Sequence, residues 1–247
     1  MPHALAIFDL DGTLFRGEEP IPGAVEAVAR CRASGKMVRY LTNNSSQTRD
    51  TFTAKLRRLG FEAHDEEVYS SAIGTAAFLR DSALRTAFVV GERGLSETLN
   101  SAGIATESRT YDAVVAGICK TFSYDLLNSA MQHIRAGAKF VATNTDPTYP
   151  MEAGQFIPGA GSIVAAIQAC AEAEPFVVGK PNPYLIDLIL RDAGVHAAEC
   201  LVIGDRIDTD IEAGVRAGAN TLLVLTGATL APPAEQRWLP SVADLIL

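Results

Sequence analysis

The stretch Leu5-Ala6-Ile7-Phe8-Asp9-Leu10-Asp11-Gly12-Thr13 begins as a short apolar run and ends in two carboxylates and a glycine. A strand at the centre of a parallel sheet reads this way, because helices cover both of its faces. Similar short runs recur at Met37–Thr42, Ala87–Val90, Ala113–Ala116, Lys139–Ala142, Phe176–Val178, Leu201–Ile203 and Leu222–Leu225. Stretches of helical period separate them, which predicts successive strand–helix units. Many of those helical stretches stop at a glycine: Gly35, Gly60, Gly103, Gly137, Gly194 and Gly218. Each fits the left-handed position just past a helix end, where other residues are strained. The pattern predicts an α/β fold whose core is a doubly wound, Rossmann-like parallel sheet.

In such a sheet ligands bind at the carboxyl ends of the strands, so polar residues directly after an apolar run are the first candidates for a site. Four stretches qualify: Asp9-Leu10-Asp11-Gly12-Thr13, Thr42-Asn43-Asn44, Gly179-Lys180-Pro181, and Gly204-Asp205-Arg206-Ile207-Asp208-Thr209-Asp210. Together they offer several carboxylates, a hydroxyl and an ammonium. Carboxylates at close range repel unless a cation lies among them, and an oxygen-only donor set suits Mg²⁺ better than a transition metal.

The chain has 247 residues, 48% of them hydrophobic and 20% charged, which is ordinary for a globular protein and unlike a disordered one. A formal charge of −8 argues against general binding to nucleic acid or to an anionic membrane. No basic, apolar leader opens the chain, and the longest apolar run, near Ile163 to Ala171, is too short to span a bilayer, so a cytoplasmic protein is expected. Cys31, Cys119, Cys170 and Cys200 and the four histidines lack metal-site spacing and read as reduced thiols and ordinary histidines. The chemistry-bearing stretches lie toward the two ends, which predicts a core of residues 1–82 and 178–247 and an inserted smaller α/β cap at 83–177.

Asp9-Leu10-Asp11-Gly12-Thr13 resembles the first motif of the haloacid dehalogenase superfamily, and the other three stretches follow in the order of its second, third and fourth motifs. The continuations Asn43-Asn44-Ser45 and Gly179-Lys180-Pro181-Asn182-Pro183, with Ala142-Thr143-Asn144 and Pro158-Gly159-Ala160-Gly161 in the insertion, are similar to the α/β-capped branch. That branch contains p-nitrophenyl, phosphoglycolate and nucleotide phosphatases. The resemblance covers essentially the whole chain. It implies a Mg²⁺-dependent phosphatase acting on a small phosphorylated metabolite, with substrate choice in the cap and a possible homodimer through it.

The same resemblance assigns roles. Asp9 would be the nucleophile that forms an aspartyl-phosphate, and Asp11 the general acid/base. Thr42 and Asn43 would hold phosphoryl oxygens, and Lys180 would set its ammonium beside the nucleophile and the phosphoryl group. Asp9, Asp205 and the backbone carbonyl of Asp11 would hold the metal, and Asp210 would support them by orienting Lys180 or a water. Asn144, Thr145 and Asp146 would face substrate from the cap, although the family usually has proline where this chain has Thr145. Gly12 would allow the tight turn, Thr13 would support it, and Asp208 and Arg206 are expected to be structural or dimer-related.

Gly159-Ala160-Gly161 imitates a dinucleotide fingerprint but lacks the later acidic residue, and Gly179-Lys180 lacks the rest of a phosphate-binding P-loop. A mutase or phosphotransferase would share these motifs and differ in its acceptor. A phospho-accepting signalling domain would place its acceptor after a later strand and has no need of Lys180, and a catalytically idle binding protein need not keep the set intact.

Overall fold

In the computed structural model, residues 3–150, 156–231 and 234–246 are described. The elements run β1 (Leu5–Asp9), β2 (Phe15–Arg16), β3 (Glu19–Pro20), α1 (Ala24–Ala33), β4 (Met37–Thr42), α2 (Arg49–Arg58), β5 (Val68–Ser70) and α3 (Ser71–Asp81). They continue with β6 (Ala87–Val90), α4 (Arg93–Ser101), β7 (Ala113–Ala116), α5 (Tyr124–Arg135), β8 (Lys139–Ala142), β9 (Thr148–Pro150), β10 (Phe156–Pro158) and α6 (Ala160–Ala171). Last come β11 (Phe176–Val177), α7 (Tyr184–Ala193), β12 (Cys200–Gly204), α8 (Glu212–Arg216), β13 (Asn220–Val224) and β14 (Trp238–Leu239). The six glycines expected beyond helix ends all have positive φ, between 64° and 106°.

The chain divides into two compact units: residues 1–42, 50–69 and 180–247 form the first, and residues 43–49 with 70–179 the second. The expected insertion, 83–177, falls inside the second unit, which also takes α3 and the segment after Thr42.

The first unit is built on a six-stranded sheet of order β14-β13-β12-β1-β4-β5. β1 lies between β12 and β4, parallel to both, with Phe8 opposite Ile203 and Asp9 opposite Leu41. Alternate residues Ala6, Phe8, Val38, Tyr40, Leu201 and Ile203 enter one core with Ala24, Ala27, Val28 and Cys31 of α1. The α1 set follows the i, i+3, i+4, i+7 spacing of a buried helical stripe. The antiparallel hairpin β2–β3 stands directly after the first motif.

The second unit has a four-stranded sheet of order β11-β8-β7-β6 and the separate antiparallel pair β9–β10. Val90, Val114, Ala116 and Phe140 pack with Ala130 and Ile134 of α5 and Ile163, Val164 and Ile167 of α6.

The expected strand Phe176–Val178, most of which lies in the expected insertion at 83–177, is β11 (Phe176–Val177) and pairs with β8, as Phe176 opposite Val141. Lys180 enters the first unit from the loop ahead of α7. In the core sheet both sides of β1 are already filled, so no central slot remains for a third neighbour. Short edge strands such as β5 and β14 escaped the sequence pattern because two or three residues give no periodicity.

Candidate active site

Asp9 closes β1, and Asp205 follows β12, the strand beside it, so adjacent parallel strands deliver two carboxylates to one end of the sheet. Asp210 arrives through a single π-helical turn, Ile207–Ile211, in which its Oδ2 accepts hydrogen bonds from the amides of Asp205 (3.1 Å) and Arg206 (3.0 Å). Such wide turns recur at functional sites because they re-aim a side chain within a helix. Gly204 makes this return possible, since a Cβ there would lie 2.3 Å from that of Asp210.

Lys180 is the hub. Its ammonium donates to Asp9 Oδ1 at 2.6 Å and to Asp210 Oδ1 at 2.5 Å, and its side chain is only 3% exposed. Oxygens of Asp9, Asp205 and Asp210 lie within 4.8 Å of one another, the one such group among the described residues. Three carboxylates facing one ammonium leave the buried cluster with surplus negative charge.

That surplus shows in the proton affinities. Burial, and then the charge of Asp210, hold the Asp9 carboxyl well above the usual range despite Lys180. Burial and Asp210 likewise push Asp205 up to about 6, against the Ala228 amide and Lys180. Burial by itself would lower Lys180, but Asp210 and Asp9 outweigh it and raise its affinity for the proton. Burial also raises Asp11, opposed by Lys55 and Lys180.

The residues fit a hard divalent cation. Asp205 Oδ1 is buried with no hydrogen-bond partner, while its Oδ2 accepts from Ala228 N at 2.6 Å. An orphaned carboxylate oxygen in a cluster of surplus negative charge is costly unless a cation meets it. Oxygen-only donors select Mg²⁺ over softer ions.

Asp11 lies outside the carboxylate group; only its backbone carbonyl was expected to hold metal. Gly12 follows with φ 88°, and a Cβ there would stand 2.7 Å from Asp205 Oδ2. Thr13 and Thr42 are buried, and Thr42 ends β4 one position beyond the partner of Asp9. Asn43 and Asn144 belong to the second unit, where both donate to Asp146 Oδ2, at 2.9 and 2.7 Å. Thr145 is exposed, and its carbonyl and that of Asp146 crowd Gly161 and Gly159, so those glycines serve close packing at the start of α6. Arg206 pairs locally with Asp208.

The sequence reading missed Thr226, Gly227 and Ala228. Gly227 lies so close to Asp205 that a Cβ would be 1.9 Å from Oδ2. The signal was present: Leu222–Leu225 followed by Thr226-Gly227 is a fifth apolar run ending in polar and small residues.

Comparison with known proteins agrees with this geometry. The chain matches the haloacid dehalogenase-like hydrolase family over residues 6–105 and a second model described as HAD-hydrolase-like over 177–245. A glycerol-3-phosphate phosphatase of Gallus gallus is 37% identical, over 97% of this chain and 90% of its own. The solved NagD structure from Escherichia coli K-12 superposes with TM-score 0.91 at 33% identity, covering 100% of this chain and 99% of that one. A glycerol phosphate phosphatase from Mycobacterium tuberculosis, solved in complex with magnesium, gives 0.86 at 36% identity over 97% of this chain and 75% of its own. The chain belongs to the haloacid dehalogenase-like hydrolases. Within them it falls in the phosphatase branch that its relatives represent. No described helix is long and apolar enough to cross a membrane.

Proposed function

We propose that the chain is a Mg²⁺-dependent phosphatase that hydrolyses small phosphate monoesters through an aspartyl-phosphate on Asp9. The observation that carries this reading is the Lys180–Asp9 ion pair inside a carboxylate cluster in which Asp205 keeps an unpartnered oxygen. The names of the relatives, which include glycerol-3-phosphate, dihydroxyacetone and ribonucleotide monophosphate phosphatases, support the substrate class.

In the first step a carboxylate oxygen of Asp9 bonds to phosphorus and the ester P–O bond breaks. The Asp11 carboxyl gives its proton to the departing alkoxide. A carboxyl of raised proton affinity suits that donation. In the second step water attacks the aspartyl-phosphate, Asp11 takes a water proton, phosphate leaves and the Asp9 carboxylate is restored. Lys180 opposes the burial that raises the proton affinity of Asp9 and adds positive charge beside the phosphoryl oxygens, and Thr42 offers them its hydroxyl. Mg²⁺, held by Asp9, Asp205 and the Asp11 carbonyl, would offset the repulsion among carboxylates and phosphoryl oxygens. Asp210 holds Lys180 in place. Asn43 and Asn144 are the proposed substrate-binding amides, each oriented by Asp146.

Steady-state hydrolysis of p-nitrophenyl phosphate with Mg²⁺, with EDTA, and by Asp9→Asn tests the reading. Glycerol phosphate, phosphoglycolate, sugar phosphates and nucleoside monophosphates then rank the substrates. Turnover undiminished in Asp9→Asn would overturn the assignment of the nucleophile.

A further inference from the structure

The turn after β13 is held by residues that follow the first motif. Thr226 Oγ1 donates to the Gly12 carbonyl at 2.7 Å, and Arg16 Nε donates to the Thr226 carbonyl at 2.8 Å. Arg16 Nη2 donates to the same oxygen. Among the described residues, this exposed arginine directs all of its side-chain hydrogen bonds to one backbone carbonyl, 210 positions away. The next residues of the turn enclose Asp205. Gly227 lies against the carboxylate, the Ala228 amide donates to Oδ2 at 2.6 Å, and the Thr229 amide donates to the Asp205 carbonyl at 3.1 Å.

The hairpin carrying Arg16 is itself anchored. The Lys55 ammonium lies 4.2 Å from the centre of the Phe15 ring and 3.6 Å from Glu18 Oε1, and Arg58 also pairs with Glu18. Arg16 therefore reaches Thr226 from a fixed base. An amide bonded to one carboxylate oxygen sets the rotation of the whole group, so the second oxygen is presented in one orientation.

We propose that Arg16 is a positioning residue which, by clamping the Thr226–Thr229 turn, fixes the Asp205 carboxylate in the orientation that receives the metal ion. The inference rests on Asp205 being a Mg²⁺ ligand. The planar guanidinium brings two N–H groups to one carbonyl, a geometry that the single ammonium of lysine reproduces only in part.

The test titrates Mg²⁺ into the full chain after removal of divalent ions and reads binding by calorimetry, for the unaltered protein, Arg16→Ala, Arg16→Lys and Asp205→Asn. Arg16→Ala is expected to weaken Mg²⁺ binding about 10-fold, the lower end of the loss typical when a ligand's supporting group is removed. Arg16→Lys should recover part of that loss. Because Arg16 is exposed, the metal-free melting temperature should change little. A lowered melting temperature with unchanged Mg²⁺ affinity would make the clamp structural only and overturn the proposal. Loss of binding in Asp205→Asn beside unaltered binding in Arg16→Ala would overturn it while leaving the metal assignment intact. Unaltered binding in Asp205→Asn would remove the metal assignment itself, and the proposal with it.

Discussion

Lys180 and Asp210 are joined by a 2.5 Å ion pair in which both side chains are almost wholly buried. The same ammonium holds Asp9, so its removal leaves buried carboxylates without their counter-charge. Lys180→Met is expected to destabilise the metal-free protein by ~3–5 kcal/mol, the usual cost of breaking a buried pair from one side. The double variant Lys180→Met/Asp210→Asn should recover part of that loss. Urea denaturation in EDTA measures both, and a Lys180→Met protein as stable as the parent would contradict the role given to the pair.

Asp9→Asn should separate activity from stability. Hydrolysis of p-nitrophenyl phosphate is expected to fall by at least about 10³-fold, as when a nucleophile is removed. The melting temperature in EDTA should hold or rise, because the change deletes one negative charge beside Asp205 and Asp210 while Lys180 keeps Asp210. Calorimetry shows whether the two move in opposite directions.

Gly227→Ala places a methyl group where the Asp205 carboxylate stands. The carboxylate has to rotate or the turn has to shift, at an expected cost of about 1–3 kcal/mol for forcing atoms into a packed site. Weakened Mg²⁺ binding should accompany the loss of stability. A control at Gly35, where a Cβ would meet nothing within 4 Å, carries only the strain of positive φ and should leave Mg²⁺ binding alone.

The metal-free protein should respond to pH through Asp205. Burial and Asp210 push its carboxyl up to about 6 in the folded state, above the unfolded value. A raised folded value means that the contribution to stability is fully present below the unfolded value and is lost as pH rises through about 6. The melting temperature of the parent relative to Asp205→Asn in EDTA should therefore fall between about pH 4 and pH 6. Mg²⁺ should reverse that fall, since it binds the ionised form. A difference between the two proteins that does not change with pH would count against the raised proton affinity.

Much of this was legible because it is local. A continuous apolar run ending in Asp9-Leu10-Asp11-Gly12 identifies a buried strand and the turn after it, and the terminal glycines mark helix ends by their positive φ. Asp205 stood out because it follows such a run directly, and Asp210 because it lies in the same acidic stretch. The pairing of Phe176–Val177 with β8 was not legible in the run itself, because a short apolar run does not say which strand of a sheet it joins. Thr226 and Gly227 were passed over because neither carries a charge, and their importance arises from contact with Asp205.

The sequence by itself determined the α/β class, the order of the motifs and the residue types of the site, because period, glycine stops and strand-end polarity act over a few residues. Only the tertiary structure decided that Lys180 binds both Asp9 and Asp210, that Asp205 keeps one oxygen unpartnered, and that Arg16 reaches Thr226. Those contacts join residues up to 210 positions apart, and their geometry follows from strand pairing and burial summed over the whole sheet rather than from any single stretch of chain.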